Sequence, residues 1–152
     1  LIGVLGPLTI AARGITDGLF ARNQIAANYL AQEAIELAIN YRLGDDLDYG
    51  DFWAAISSCL VPNQCGVDFS GNPPFDPNYP SQLVYARRQG RYLAADSAGS
   101  PLGPVFTRSL TAEVLALTDE IEEVRVTVTV SWTNTGFGLR TATLSENLYR
   151  FR

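Results

Sequence analysis

Residues 122–133 read EEVRVTVTVSWT, and in them Val124, Val126, Val128, Val130 and Trp132 alternate with Arg125, Thr127, Thr129, Ser131 and Thr133. Successive side chains of a strand point to opposite faces, so this stretch predicts a strand with one buried face and one wet, threonine-rich face. A register slip of one residue would carry the threonines inward, and that cost fixes the pairing. After Asn134-Thr135-Gly136-Phe137-Gly138, residues 139–149 are predicted to return as the second arm of a hairpin. Residues 105–114 are also β-rich, so 104–152 reads as an antiparallel sheet.

The other end of the chain has a different period. Residues 13–43 contain no proline and are dense in Ala, Leu, Gln and Glu, with Arg13 and Asp17 four apart, which predicts a long helix. Gln24, Asn28, Gln32, Glu36 and Asn40 recur at every fourth position and make a slanting polar ribbon, with apolar residues around the rest. A surface helix of a monomer has a broad polar face, so this one calls for cover from beyond its own domain, and neighbouring subunits are the simplest cover. Counted over 8–43 the helix is about 36 residues and about 54 Å long, more than the diameter of a domain this small. Residues 1–24 are therefore expected to protrude. Residues 25–43 are expected to pack on the sheet, with Leu30, Ala34, Leu37 and Tyr41 facing its valines.

The first twelve residues, LIGVLGPLTIAA, carry no charge. A bilayer span needs about 20 apolar residues. The chain has no Met, so these twelve are expected to be the tail of a longer apolar helix whose start has been lost. Pro7 lacks a backbone donor and Gly3 and Gly6 are flexible, so a kink or local unwinding is predicted before Arg13, surrounded by other subunits in an assembled form. The residues expected to pack between subunits are Leu1, Ile2, Val4, Leu5, Leu8 and Ile10, continuing through Ala11, Gly14, Ile15, Gly18 and Leu19. Gly14 and Gly18 have the GxxxG spacing that lets two helices approach closely.

Composition narrows the function. The 152 residues suit one domain, and 11 basic against 16 acidic residues give a net charge of −5, which argues against a nucleic-acid partner. Every basic residue is Arg. With neither Lys nor His there is no evident group to activate a hydroxyl near neutral pH, so no catalytic residue and no cofactor is expected. Cys59 and Cys65 lie in a turn-rich segment and are expected to form one small disulfide loop protruding after the helix, in an oxidising compartment. A metal site built on them would lack two ligands.

Residues 44–103 form a variable connecting region rich in Pro and Gly, in which 82–88 and 91–95 look like short strands. It opens on Asp45, Asp46, Asp48 and Asp51. These carboxylates have the oxygen density of a calcium loop, but Gly50 stands where an EF-hand needs a third ligand, so a solvated acidic loop is the preferred reading. Arg87, Arg88 and Arg91 beside Tyr85 and Tyr92 read as edge guards or ion-pair partners rather than a DNA-binding patch. Trp53, Trp132, Phe52 and Tyr149 are expected in the core.

A long N-terminal helix, apolar at its start and joined through a disulfide-bearing region to a C-terminal antiparallel sheet, resembles the type IV pilins and pseudopilins. GPLTIAARG at 6–14 is similar to the proline-bearing midsection of a pilin helix, and NYLAQEAIELAINYR at 28–42 to its continuation. VRVTVTVSW and SENLYRF resemble the closing hairpin. The resemblance covers about half the chain. It implies an α+β, pilin-like fold and a structural subunit of an extracellular filament that partners copies of itself. It also implies an inner-membrane anchor before assembly and dedicated assembly machinery. The cleavage site and the early glutamate of that family are absent from this sequence. Alternatives are a minor pilin or secretion pseudopilin, and, in another class, a membrane-anchored adhesin that never polymerises.

Overall fold

A computed structural model describes residues 5–44, 49–86, 90–95, 103–117, 121–134 and 138–151. The fold is α+β: one long N-terminal helix on a C-terminal antiparallel sheet. Helix α1 spans Leu5–Leu43, 39 residues, and a short helix α2 follows at Tyr49–Ser57. Strands β1 (Gly66–Val67) and β2 (Phe75–Asp76) form a small ribbon. Strands β3 (Gln82–Ala86), β4 (Arg91–Ala94), β5 (Phe106–Leu117), β6 (Ile121–Asn134) and β7 (Gly138–Phe151) form one sheet in the order β4-β3-β5-β6-β7.

The alternating strand falls inside this sheet as β6, between β5 and β7. Val124, Val126, Val128, Val130 and Trp132 are buried against α1, and Thr127 lies opposite Thr111 on one side and Ser145 on the other. The wet face is a hydroxyl ladder, with Thr127 Oγ1 2.9 Å from Ser145 Oγ and Thr129 Oγ1 3.5 Å from Thr143 Oγ1. Gly138 enters β7 at φ +70°, a backbone conformation open to glycine because it has no Cβ.

The helix meets the valines with small residues. Ala27, Ala31, Ala34 and Ala38, with Leu30 and Ile35, are buried, while Leu37 and Tyr41 are half-buried beside this stripe. Alanines at three- and four-residue spacing lie on one face and bring the helix axis close to the sheet.

Several expectations need correction. The cysteines are bonded, at a Cα–Cα distance of 5.4 Å, but the cystine does not project from the fold: both residues are buried. Only the tip at Val61–Gln64 reaches solvent, and the stem continues the sheet beside β3. Cys65 exchanges both backbone hydrogen bonds with Leu110 at 2.9 Å, Val61 donates to Ala112 at 2.9 Å, and Ala112 donates to Cys59 at 2.8 Å. Among the described residues no strand pairs with the far half of β5 on that side, and its backbone groups there hold the loop down.

The helix is continuous from Leu5, so Gly6 and Pro7 are helical and not unwound in the single chain; Gly3 lies outside the described residues. Pro7 stands in the first described turn, where a missing donor breaks no helical bond within that span. Helix α2 was not anticipated. Its Phe52 joins Phe75 and Tyr41 in an edge-on cluster with ring centroids 5.5–6.5 Å apart, and Trp53 is half-buried beside it. Tyr149 is exposed rather than in the core.

Val128→Asp is expected to prevent folding, since a carboxylate would sit unpaired at 0% exposure, whereas Thr127→Asp is expected to cost no more than about 1 kcal/mol. Thermal unfolding followed by circular dichroism separates the two, and equal losses would refute the register. Intact mass after alkylation without reductant is expected to show no modified thiol. Reduction is expected to lower stability by at least about 2 kcal/mol from loop entropy, and by more because the stem holds the edge of β5.

Candidate assembly interface

Two surfaces of α1 leave apolar side chains uncovered. The first lies N-terminal to Asn23, the first buried residue from Ile10 onward. Ile10 is 73% and Ile15 68% exposed, with Leu19, Ala11, Gly14 and Gly18 exposed beside them. A Cβ built on Gly14 or Gly18 meets nothing within 4 Å. Glycine in a helix interior costs about 1 kcal/mol relative to alanine, and packing within this chain does not require it at either position. Leu5 and Leu8 belong to the same helix, and Leu1, Ile2 and Val4 lie outside the described residues.

The second surface runs along the half of α1 that packs on the sheet. Ile25 is 56% and Tyr29 67% exposed, and together with Ala26, Leu30 and Tyr92 of β4 they line a groove of about 550 Å³ rimmed by Arg22, Glu33 and Glu36. Ile25 and Tyr29 are among the apolar residues around the polar ribbon, and that spacing does not separate those facing the sheet from those facing away. The alanine stripe makes the separation: small residues turn inward and these larger ones turn out.

What orients the helix is Arg108, whose importance the sequence did not reveal. In β5 it shares the inward face with Phe106, Leu110 and Ala112, a place for an apolar side chain, and it is 2% exposed. Its Nη1 donates to Leu30 O at 3.2 Å and to Glu33 Oε2 at 2.9 Å, its Nη2 donates to Val67 O at 3.1 Å, and its guanidinium lies 5.5 Å from the centroid of the Phe69 ring. One side chain thus ties α1, β1 and β5 together. Burial pulls the Arg108 pKa down, and Glu33 opposes that shift. The signal in the sequence is an arginine at an inward position of an alternating strand. Nearer the protruding half, the Arg140 guanidinium lies 5.7 Å from the Phe20 ring centroid, and at the other end Arg42 Nη2 donates to Tyr149 O.

The remaining candidates do not converge on a chemical site. Among the described residues no three acidic or cysteine side chains are grouped to hold a metal; Asp51 lies in the first turn of α2, and Asp45, Asp46 and Asp48 lie outside the described residues. Arg91 is exposed on β4, where Tyr92 stacks edge-on with Tyr85 at 5.4 Å, while Arg87 and Arg88 lie outside the described residues. No described helix is long and apolar enough to cross a membrane. Set against protein-family models, curated proteins and solved structures, the chain matches none.

Glu33→Ala is expected to cost about 2–3 kcal/mol, because it leaves a buried cation without its counter-charge; the estimate is discounted for the 47% exposure of the carboxylate. Adding Arg108→Met to Glu33→Ala is expected to recover part of that loss. A double-mutant cycle read by urea unfolding measures the coupling, and strict additivity would refute the clamp.

Proposed function

We propose that this chain is a structural subunit of an extracellular, type IV pilus-like filament and polymerises through its N-terminal helix. The observation that carries the proposal is the exposure of Ile10, Ile15 and Leu19 on different sides of a helix that extends beyond its own sheet. Isolated exposed apolar residues are ordinary, but large ones bared around one helix segment suit a place among several neighbours. Gly14 and Gly18 add to this, since glycines without an intramolecular packing role suit close approach of a second helix. The pilin-like order of helix, disulfide-bearing segment and closing hairpin is consistent with the same reading.

In this account the polymer is held by burial of apolar helix surface, at about 25 cal/mol per Å². Before assembly the same surface, with whatever apolar segment precedes it, lies in the membrane. The sheet and the disulfide-closed segment face outward, and an extracellular location is in keeping with the cystine. A lone adhesin domain on a stalk has no use for uncovered isoleucines, so the non-polymerising alternative is disfavoured.

Negative-stain microscopy of filaments sheared from producing cells, with the subunit identified by mass spectrometry, tests the proposal. Continuous filaments of this chain are expected. Removing residues 1–22 is expected to leave a folded monomer that forms none. Gly14→Leu is expected to leave monomer stability within about 1 kcal/mol, because nothing lies within 4 Å, while abolishing filaments. Filaments from the truncated chain would overturn the reading.

A further inference from the structure

We infer that the groove between Tyr29 and Tyr92 seats the protruding helix of a second copy, parallel and displaced along the axis so that Arg13 of one copy meets Glu36 of the other. The inference takes its parallel alignment from the filament reading and deepens it by naming the seat and the register.

The seat is apolar with an acidic rim. Ile25 and Tyr29 stand open beside Tyr92, while Glu33 and Glu36 border the groove. Tyr29, Gln32 and Glu36 are spaced i, i+3, i+7 and so share one face of α1. The protruding half repeats that spacing with complementary chemistry. Ile10, Arg13 and Asp17 lie on one face, and Gly14 lies between them with open space where its Cβ would be. Arg13 and Glu36 are both exposed, and neither makes an ion pair among the described residues.

Placing Arg13 level with Glu36 displaces one helix by 23 residues, about 35 Å at 1.5 Å per residue. Ile10 then comes level with Glu33, one turn from Tyr29, where its side chain enters the groove. Gly14 comes level with Leu37 and Asp17 with Asn40, so no like charges face each other across this overlap. Displaced this far, the 39-residue helix overlaps its neighbour over 16 residues, 5–20 of one copy against 28–43 of the other. Within that laid-down segment, residues 10–19 are exposed except for half-buried Thr16, and Phe20 at its end lies beside Arg140 of β7. The other register that pairs Arg13 with a glutamate, Glu33, brings Arg22 level with Arg42, and Glu33 already accepts from Arg108. Rim charges of this kind select register more than they add affinity.

The test compares filament yield from producing cells for the full chain and for Arg13→Glu, Glu36→Arg and the double reversal, alongside Ile10→Cys/Gln32→Cys treated with a mild oxidant. The two native cysteines are already bonded to each other, so the new thiols are free to report. Each single reversal is expected to lower yield about tenfold at unchanged monomer melting temperature, because attraction becomes repulsion at every repeat. The double reversal is expected to return yield to within about twofold of the original. The cysteine pair is expected to give a ladder of cross-linked subunits on a denaturing gel. Both the rescue and the ladder are required. Wild-type yield from either single reversal, no rescue by the double, or no ladder overturns the register while filaments of the original chain still stand. Failure of the original chain to form filaments overturns the reading beneath it instead.

Discussion

Arg108 sits at 2% exposure on a strand face otherwise given to Phe106, Leu110 and Ala112, and it bonds at once to the helix and to β1. A buried guanidinium is tolerated when its donors and its charge are both matched, and Leu30 O, Val67 O and Glu33 supply acceptors and charge. Such a group admits few alternative positions. It fixes the rotation of α1 about its axis, so that the alanines face the valines and Ile25 and Tyr29 face away. The outward groove is therefore a consequence of an inward bond.

Length sets the second boundary. A 39-residue helix extends about 58 Å, whereas from Ile10 onward full burial begins at Asn23. Between residues 10 and 19 the side chains are exposed except for half-buried Thr16. On the filament reading proposed above, this surface is covered by another subunit, and the exposed glycines at 14 and 18, which nothing in the same chain approaches within 4 Å, suit that reading. The Arg140–Phe20 contact holds the exit point of the helix near β7.

The cystine shows how an irregular segment is recruited by backbone chemistry. β3 pairs with only the start of β5, at Phe106 and Thr107, which leaves the next donors and acceptors of β5 open. The disulfide-closed loop is short enough to be held in shape and long enough to present Cys59, Val61 and Cys65 to Leu110 and Ala112. Its tip remains the solvent-facing part. The connecting region thus belongs to the sheet at its base.

Periodicity made the α+β architecture legible in the residues alone. The two-residue alternation at 122–133, the proline-free run at 13–43 and the six-residue spacing of the cysteines are local patterns, and each produced the element expected of it. Helix α2 was obscured by the turn-rich composition around it, and it is held by Phe52 against Phe75 and Tyr41, contacts far apart in sequence. The same holds for the burial of the cystine, the role of Arg108 and the division of α1 into inward alanines and outward Ile25 and Tyr29. These depend on which groups β5 leaves unpaired and on where a single guanidinium finds its acceptors. Such properties arise only when the helix and the sheet meet, because burial and hydrogen-bond matching are set by neighbours that no local spacing specifies.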